Sequence, residues 1–171
     1  MSHAYRNAAV FAALLALTRT ASKIGDTWAQ SDFCAQVKGA TDAHPVTYTH
    51  SETGLKRTYG TAAGRRACAW HCLTYTVTQA VAVTVGTRAL GIRLRPAAAV
   101  TAMAVSFGTH YLADRRVPGG LLETLARKTG KGAFWDLADH GINGTFHLDS
   151  AWHHGWETLA ALVATTRATS R

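Results

Sequence analysis

Between Ala67 and Val85 the chain runs for 19 residues without an Asp, Glu, Lys or Arg. A second such run, Ala97 to Ala113, follows Pro96. Each is close to the roughly 20 residues that a helix needs to cross a bilayer. Each also holds a histidine, His71 in the first and His110 in the second. The first run contains four threonines and Gln79, which makes it a marginal span. Helices of this kind have two homes. One is the interior of a tightly packed soluble bundle, and the other is a bilayer around a polar interior. The composition agrees with both: 47% of residues are apolar and only 16% are charged, against a usual charged share of about 25%.

The remaining pattern is also helical. Residues 7–38 lack proline and contain one glycine, Gly25. Phe11, Leu14, Leu15, Ile24, Trp28 and Phe33 recur at helical spacing. This predicts one long helix, bent or broken near Gly25 and stopped at Gly39. The apolar run Ala8–Leu17 follows Arg6 but is interrupted by Arg19 and Lys23, so it reads as the first half of a structural helix rather than a cleaved signal. Residues 39–62 are rich in Thr, Gly and His and read as a loop with a short extended segment at Val46–Thr49. A second helix is expected over 63–90. A third opens at Pro96 and ends at Asp114-Arg115-Arg116, before Pro118-Gly119-Gly120. Residues 121–129 form a short amphipathic helix, 130–146 a loop, and 148–166 the last helix, with Leu159, Leu162 and Val163 on its apolar side. The expected fold class is all-α: a single domain over 1–171, built as a bundle of four main helices with a short extra helix, and membrane-embedded if the apolar faces look outward.

The net charge is +8, carried by doublets at the ends of apolar stretches, such as Arg65-Arg66, Arg115-Arg116 and Arg127-Lys128. Flanking charges of this kind suit anionic lipid headgroups or nucleic acid. No nucleic-acid-binding motif accompanies them, which favours membrane lipid as the partner. The cell membrane is the expected location, with the cytoplasm as the alternative. Three cysteines, Cys34, Cys68 and Cys72, give no disulfide framework. Cys68, His71 and Cys72 share a helix face, but no complementary cysteine pair exists for a structural zinc site.

Three polar pairs repeat at i, i+4 spacing: Asp26 with Gln30, His110 with Asp114, and Asp149 with His153. On a helix this spacing places both side chains on one face. Their neighbours are apolar or aromatic, and buried charged residues must be paired or bind metal. Bundles build metal sites from inward residues on facing helices, and imidazole with carboxylate suits zinc, iron or manganese. Glu157 stands one turn after His153 and is a candidate supporting group or general base. Asp136, Asp139 and His140 read as solvated loop residues.

The segments GDTWAQS at 25–31, RACAWHCLTYT at 66–76, SFGTHYLADRR at 106–116, GKGAF at 130–134 and LDSAWHHGW at 148–156 carry a resemblance over nearly the whole chain. They resemble an uncharacterised family of small actinobacterial and phage proteins. That family is similar to a broader group of bacterial multi-helix membrane proteins and, more distantly, to membrane-bound metal-dependent hydrolases. The resemblance implies a site formed by Asp26, Gln30, His71, His110, Asp114, Asp149 and His153. Relatives often carry histidine four residues before the first aspartate, where this chain has Ser22. The resemblance thus allows an altered site that binds without catalysis.

Together these readings give the leading expectation, a membrane-associated helical protein holding a divalent metal, zinc first. Its metal ligands are expected among His71, His110, Asp114, Asp149, His153 and Asp26, with Gln30 orienting the site. Asp114 and Glu157 are the catalytic candidates for hydrolysis of an unknown substrate. The alternative is a non-enzymatic interaction or regulatory protein of phage or plasmid type, DNA-binding in one version, whose His, Asp and Gln residues form a buried hydrogen-bond network.

Overall fold

The computed structural model describes residues 3–138 and 142–168, and side chains between residues 4 and 165 of these. Asp139 and His140 lie outside the described residues. The first long helical segment is α1 (His3–Lys23), continued by a π-helical turn, Ile24–Trp28, and followed after a break by α2 (Asp32–Val37). Gly25 lies within this irregular turn. A Cβ there would sit 3.1 Å from the Tyr75 Cα, tighter than an ordinary contact, so glycine eases the close approach of the two backbones. The turn ends at Ala29, whose N–H bonds to the Ile24 carbonyl, and Gln30 lies in the bend beyond it. Asp26 and Gln30 therefore do not share a helical face as expected. Ser31 then caps α2, its hydroxyl accepting from the Cys34 N–H.

Residues 39–62 hold more than the single extended segment expected. β1 (Val46–Thr49) pairs antiparallel with β2 (Lys56–Tyr59), Val46 opposite Tyr59 and Thr49 opposite Lys56. Gly54, at φ +68°, supplies the left-handed residue of the connecting turn. Asp42 ties the segment before the hairpin to the helix that follows. Its carboxylate accepts from the Thr61 N–H at 2.9 Å, and that bond holds its pKa below the ordinary value.

The long helices are α3 (Thr61–Ala89) and α4 (Pro96–Asp114), the latter bounded by Pro96 and Asp114 as its sequence predicts. α5 (Leu121–Lys128) and the short α6 (Gly132–Trp135) precede α7 (Gly144–Ala168). Both α6 and the first turn of α7 fall in the stretch expected to be a loop.

The chain divides into two compact units. The first comprises residues 1–30, 73–109 and 153–171 and is a helical bundle. Val10, Leu14, Val83, Ala102, Ala160, Ala161 and Ala164 form its apolar core, with Phe11, Leu17 and Met103 packed against them. The second comprises residues 31–72 and 110–152. Its core joins Cys34, Val37, Ala40, Tyr48 and Ala67. Phe33 meets Tyr48 and Tyr59 edge-on, with ring centres 5.3 and 5.1 Å away. All three cysteines are buried and outside any disulfide.

Close backbone contact also sets the second unit. A Cβ on Gly64 would overlap the Ala40 carbonyl oxygen, and a backbone atom cannot rotate away. Gly64→Ala is therefore expected to destabilise the fold by about 1–3 kcal/mol, as overpacked sites do. A thermal unfolding midpoint equal to that of the wild type would show that α3 can shift to make room.

Candidate metal centre

In the second unit α3 and α4 present two imidazoles to one carboxylate. His71, His110 and Asp114 are almost wholly buried, at 0%, 1% and 0% exposure. The His71 Nε2 stands 2.6 Å from the Asp114 Oδ2 and 2.8 Å from the His110 Nε2. The His110 Nε2 is 3.3 Å from the same Oδ2. The i, i+4 spacing of His110 and Asp114 on α4 brings that pair together, and α3 delivers His71 to it from another part of the chain.

Each Nε2 carries either a proton or a lone pair. With both protonated, two N–H groups face each other. With one protonated, a single N–H proton lies between the two nitrogens and the carboxylate oxygen. With neither, two nitrogen lone pairs face each other beside a carboxylate oxygen that the Lys38 ammonium serves. A cation among the three satisfies all of them at once. Bond lengths of about 2.0–2.2 Å to nitrogen and oxygen suit a donor ring this small, and two imidazoles with a carboxylate suit zinc, iron or manganese. This buried His/Asp group can hold a metal ion.

Positive side chains surround the carboxylates. The Lys38 Nζ donates to the Asp114 Oδ2 at 2.6 Å, with both side chains buried. Asp149, on α7, accepts from the Arg116 Nη2 at 2.6 Å, and the same nitrogen is 3.8 Å from the Asp114 Oδ1. The Asp149 and Asp114 carboxylates come within 4.8 Å of each other. Arg115 donates to the carbonyls of Lys38 and Ala40 and so fixes the backbone that carries the Lys38 ammonium. Arg116 adopts a left-handed backbone, φ +26°, which is costly for a residue with a Cβ. Gly39 lies directly against its carbonyl, where a Cβ would approach to 3.1 Å.

Four of the expected ligands, His71, His110, Asp114 and Asp149, thus gather in the second unit. Asp26 and His153 belong to the first unit. Asp26 is half-buried in the π turn beside Tyr75, and the buried His153 ring lies 6.2 Å from the Tyr75 ring. Glu157 is also buried there and anchors a chain of hydrogen bonds. The Ser106 hydroxyl donates to the Gln79 carbonyl oxygen at 2.6 Å, and the Gln79 amide donates to the Tyr75 hydroxyl at 3.2 Å. Tyr75 donates to the Glu157 Oε1 at 3.0 Å, and the Arg19 Nε to its Oε2 at 3.0 Å. A cavity of about 80 Å³ opens beside Gln79, Ser106 and Glu157 and is otherwise walled mostly by alanines and other small or apolar residues.

Sequence reasoning missed Lys38, Arg115 and Arg116 as members of the His/Asp centre, and Arg19, Tyr75 and Ser106 as partners of Glu157 and Gln79. Lys38 looks like an ordinary basic residue at a helix end, and its partner lies 76 positions away. A signal was available for Gln79, an amide in the middle of a charge-free helix. No family model, curated protein or solved structure matches the chain.

Proposed function

We propose that the protein is a membrane-embedded helical bundle in which His71, His110 and Asp114, with Asp149 beside them, bind a divalent cation, zinc first, for hydrolytic chemistry. The observation that carries the reading is the mutual approach of three buried donor atoms, the His71 Nε2, the His110 Nε2 and the Asp114 Oδ2. A bound ion of this type supplies Lewis acidity and lowers the pKa of water. The chain's own residues do the rest. His71 and His110 donate imidazole lone pairs, and Asp114 supplies charge. Lys38 and Arg116 bring positive charge to the carboxylates, and Arg116 also lines an open cleft.

The membrane part of the reading rests on inverted polarity. Along α3 the buried positions include His71, Tyr75, Gln79 and Thr87, while Trp70, Leu73, Val77, Val81 and Val85 face outward. Along α4 Ser106, His110 and Asp114 are buried and Val100 and Leu112 exposed. Along α7 Asp149, His153 and Glu157 are buried and Phe146, Leu159 and Leu162 exposed. Helices in water place these classes the other way round, whereas ionisable residues inside membranes face the bundle interior. Among the described residues, only the segment Ala4–Trp28 is both long enough and apolar enough on average to cross a membrane, a property that signal sequences and core helices share. Within the charge-free stretch of α3, Ala67–Val85, the strongly polar His71 and Gln79 are buried, as are Asp149, His153 and Glu157 in α7.

Metal analysis of protein purified in mild detergent tests the centre. About one equivalent of zinc, iron or manganese is expected, lost in His71→Ala. A metal-free protein whose stability ignores both chelator and added zinc would end this reading. Carbonate extraction tests the other half, with retention in the pellet expected.

A second reading has its own observation. Lys38 on Asp114 and Arg116 on Asp149 already balance two carboxylates without an ion. In that version the network fixes helix register in a non-enzymatic interaction protein.

A further inference from the structure

A cleft of about 500 Å³ lies in the second unit, along the end of α4 and the start of α5. Arg115 and Arg116 line it, together with Leu112, Leu121 and Trp135. We infer that this cleft binds an anionic molecule with an apolar tail, a phosphate monoester of an aliphatic alcohol being the simplest example. We infer further that this ligand is the substrate of the His/Asp centre, a step that rests on the function proposed above.

Charge argues for the anion. The Arg115 guanidinium spends N–H groups on two backbone carbonyls, and no carboxylate pairs with it among the described residues. Its charge is therefore held in place without being neutralised. Glu123, the acid in the lining, is engaged by the Gly119 N–H and the Arg127 guanidinium, each at 2.9 Å. Guanidinium groups match phosphate oxygens in number and geometry.

Connection to the centre comes through Arg116. It lines the cleft, and its Nη2 sits 2.6 Å from Asp149 and 3.8 Å from Asp114. The strained Arg116 backbone places one guanidinium on both. Arg116 thus joins the lining of the cleft to the two carboxylates, which are themselves buried behind it.

Volume and wall chemistry argue for the tail. Ligand pockets commonly span about 300–1,000 Å³ and are mostly apolar, and a lone phosphate would leave most of this cleft unfilled. Leu112 and Leu121 are exposed apolar side chains at its edge, suited to an alkyl chain arriving from a bilayer.

The test is a fluorescence titration of the full chain in neutral detergent, with Trp135→Phe identifying the Trp135 signal. Hexyl phosphate is expected to give a saturable change, and hexyltrimethylammonium none. Inorganic phosphate should bind at least about tenfold more weakly, because it buries no methylenes. Leu121→Asp changes an exposed residue and should weaken hexyl phosphate by about tenfold or more through like-charge repulsion. No saturable response in folded wild-type protein, or equal affinity in Leu121→Asp, overturns the proposal. Equal affinity for inorganic phosphate overturns the tail and points to a free phosphate source. Metal content is measured on the same samples. Hexyl phosphate binding without metal would uphold the cleft and sink the metal centre, and metal without hexyl phosphate binding would do the reverse.

Discussion

Replacing Asp114 by alanine is expected to cost about 3–5 kcal/mol of stability and to abolish stoichiometric metal binding. Asp114 is the one group on which the centre converges. Its Oδ2 receives the Lys38 ammonium at 2.6 Å and faces the His71 and His110 nitrogens at 2.6 and 3.3 Å. Truncation removes the carboxylate to which the buried Lys38 ammonium donates and which the two imidazoles, 2.8 Å apart, face. A buried charge stripped of its partner is among the largest single-site penalties known. Asp114→Asn separates shape from charge: it keeps the volume, and it should still lose the metal and show most of the same destabilisation. Asp149→Asn should cost less, because its partner Arg116 is about one-third exposed and can turn to water. Unfolding in mild detergent, followed by helical circular dichroism, gives the stabilities, and elemental analysis gives the metal. An Asp114→Ala protein with the wild-type midpoint would mean that the centre is far more hydrated than its burial indicates.

Local rules make much of this centre legible in the residues alone. Pro96 and the Asp-Arg-Arg run bound α4, and with α4 bounded, His110 and Asp114 have to share a face. The same rule fails for Asp26 and Gln30 because the helix ends in a π turn, after Gly25 settles against Tyr75. Spacing rules assume an intact α-helix, and here tertiary contact decides otherwise. β1 is readable from its alternation, whereas Lys56–Tyr59 is a strand chiefly because β1 pairs with it. Long-range polar partners are the hardest to see. Nothing near Lys38 in sequence announces Asp114, and nothing near Tyr75 announces Glu157. Glu157 is marked by its spacing from His153, but its actual partners come from α1 and α3. Periodicity names the face that a polar residue occupies; which group it meets there is set by packing.

Lys38→Met separates the two accounts of the centre. Methionine keeps the length of the apolar stem and removes the ammonium. Without metal, Asp114 becomes a buried carboxylate lacking its nearest cation, and a loss of about 3–5 kcal/mol is expected. The accounts then part. If the centre binds a divalent ion, the ammonium and the ion compete for one carboxylate oxygen, separated by only a few ångströms. Repulsion of this kind is worth on the order of 4 kcal/mol or more per unit charge at an effective dielectric of about 20. Lys38→Met should therefore bind zinc about tenfold or more tightly than the wild type, and zinc should restore its unfolding midpoint through the linkage between binding and folding. If the network is purely structural, the variant is equally destabilised and zinc restores nothing. The readout is the midpoint of Lys38→Met and wild type in a zinc series buffered by chelator. A variant that zinc rescues more strongly than it stabilises the wild type assigns Lys38 the place of a resident cation standing in for the metal. A variant indifferent to zinc leaves Lys38 and Asp114 as a structural ion pair, and the His71–His110 contact as part of the packing around it.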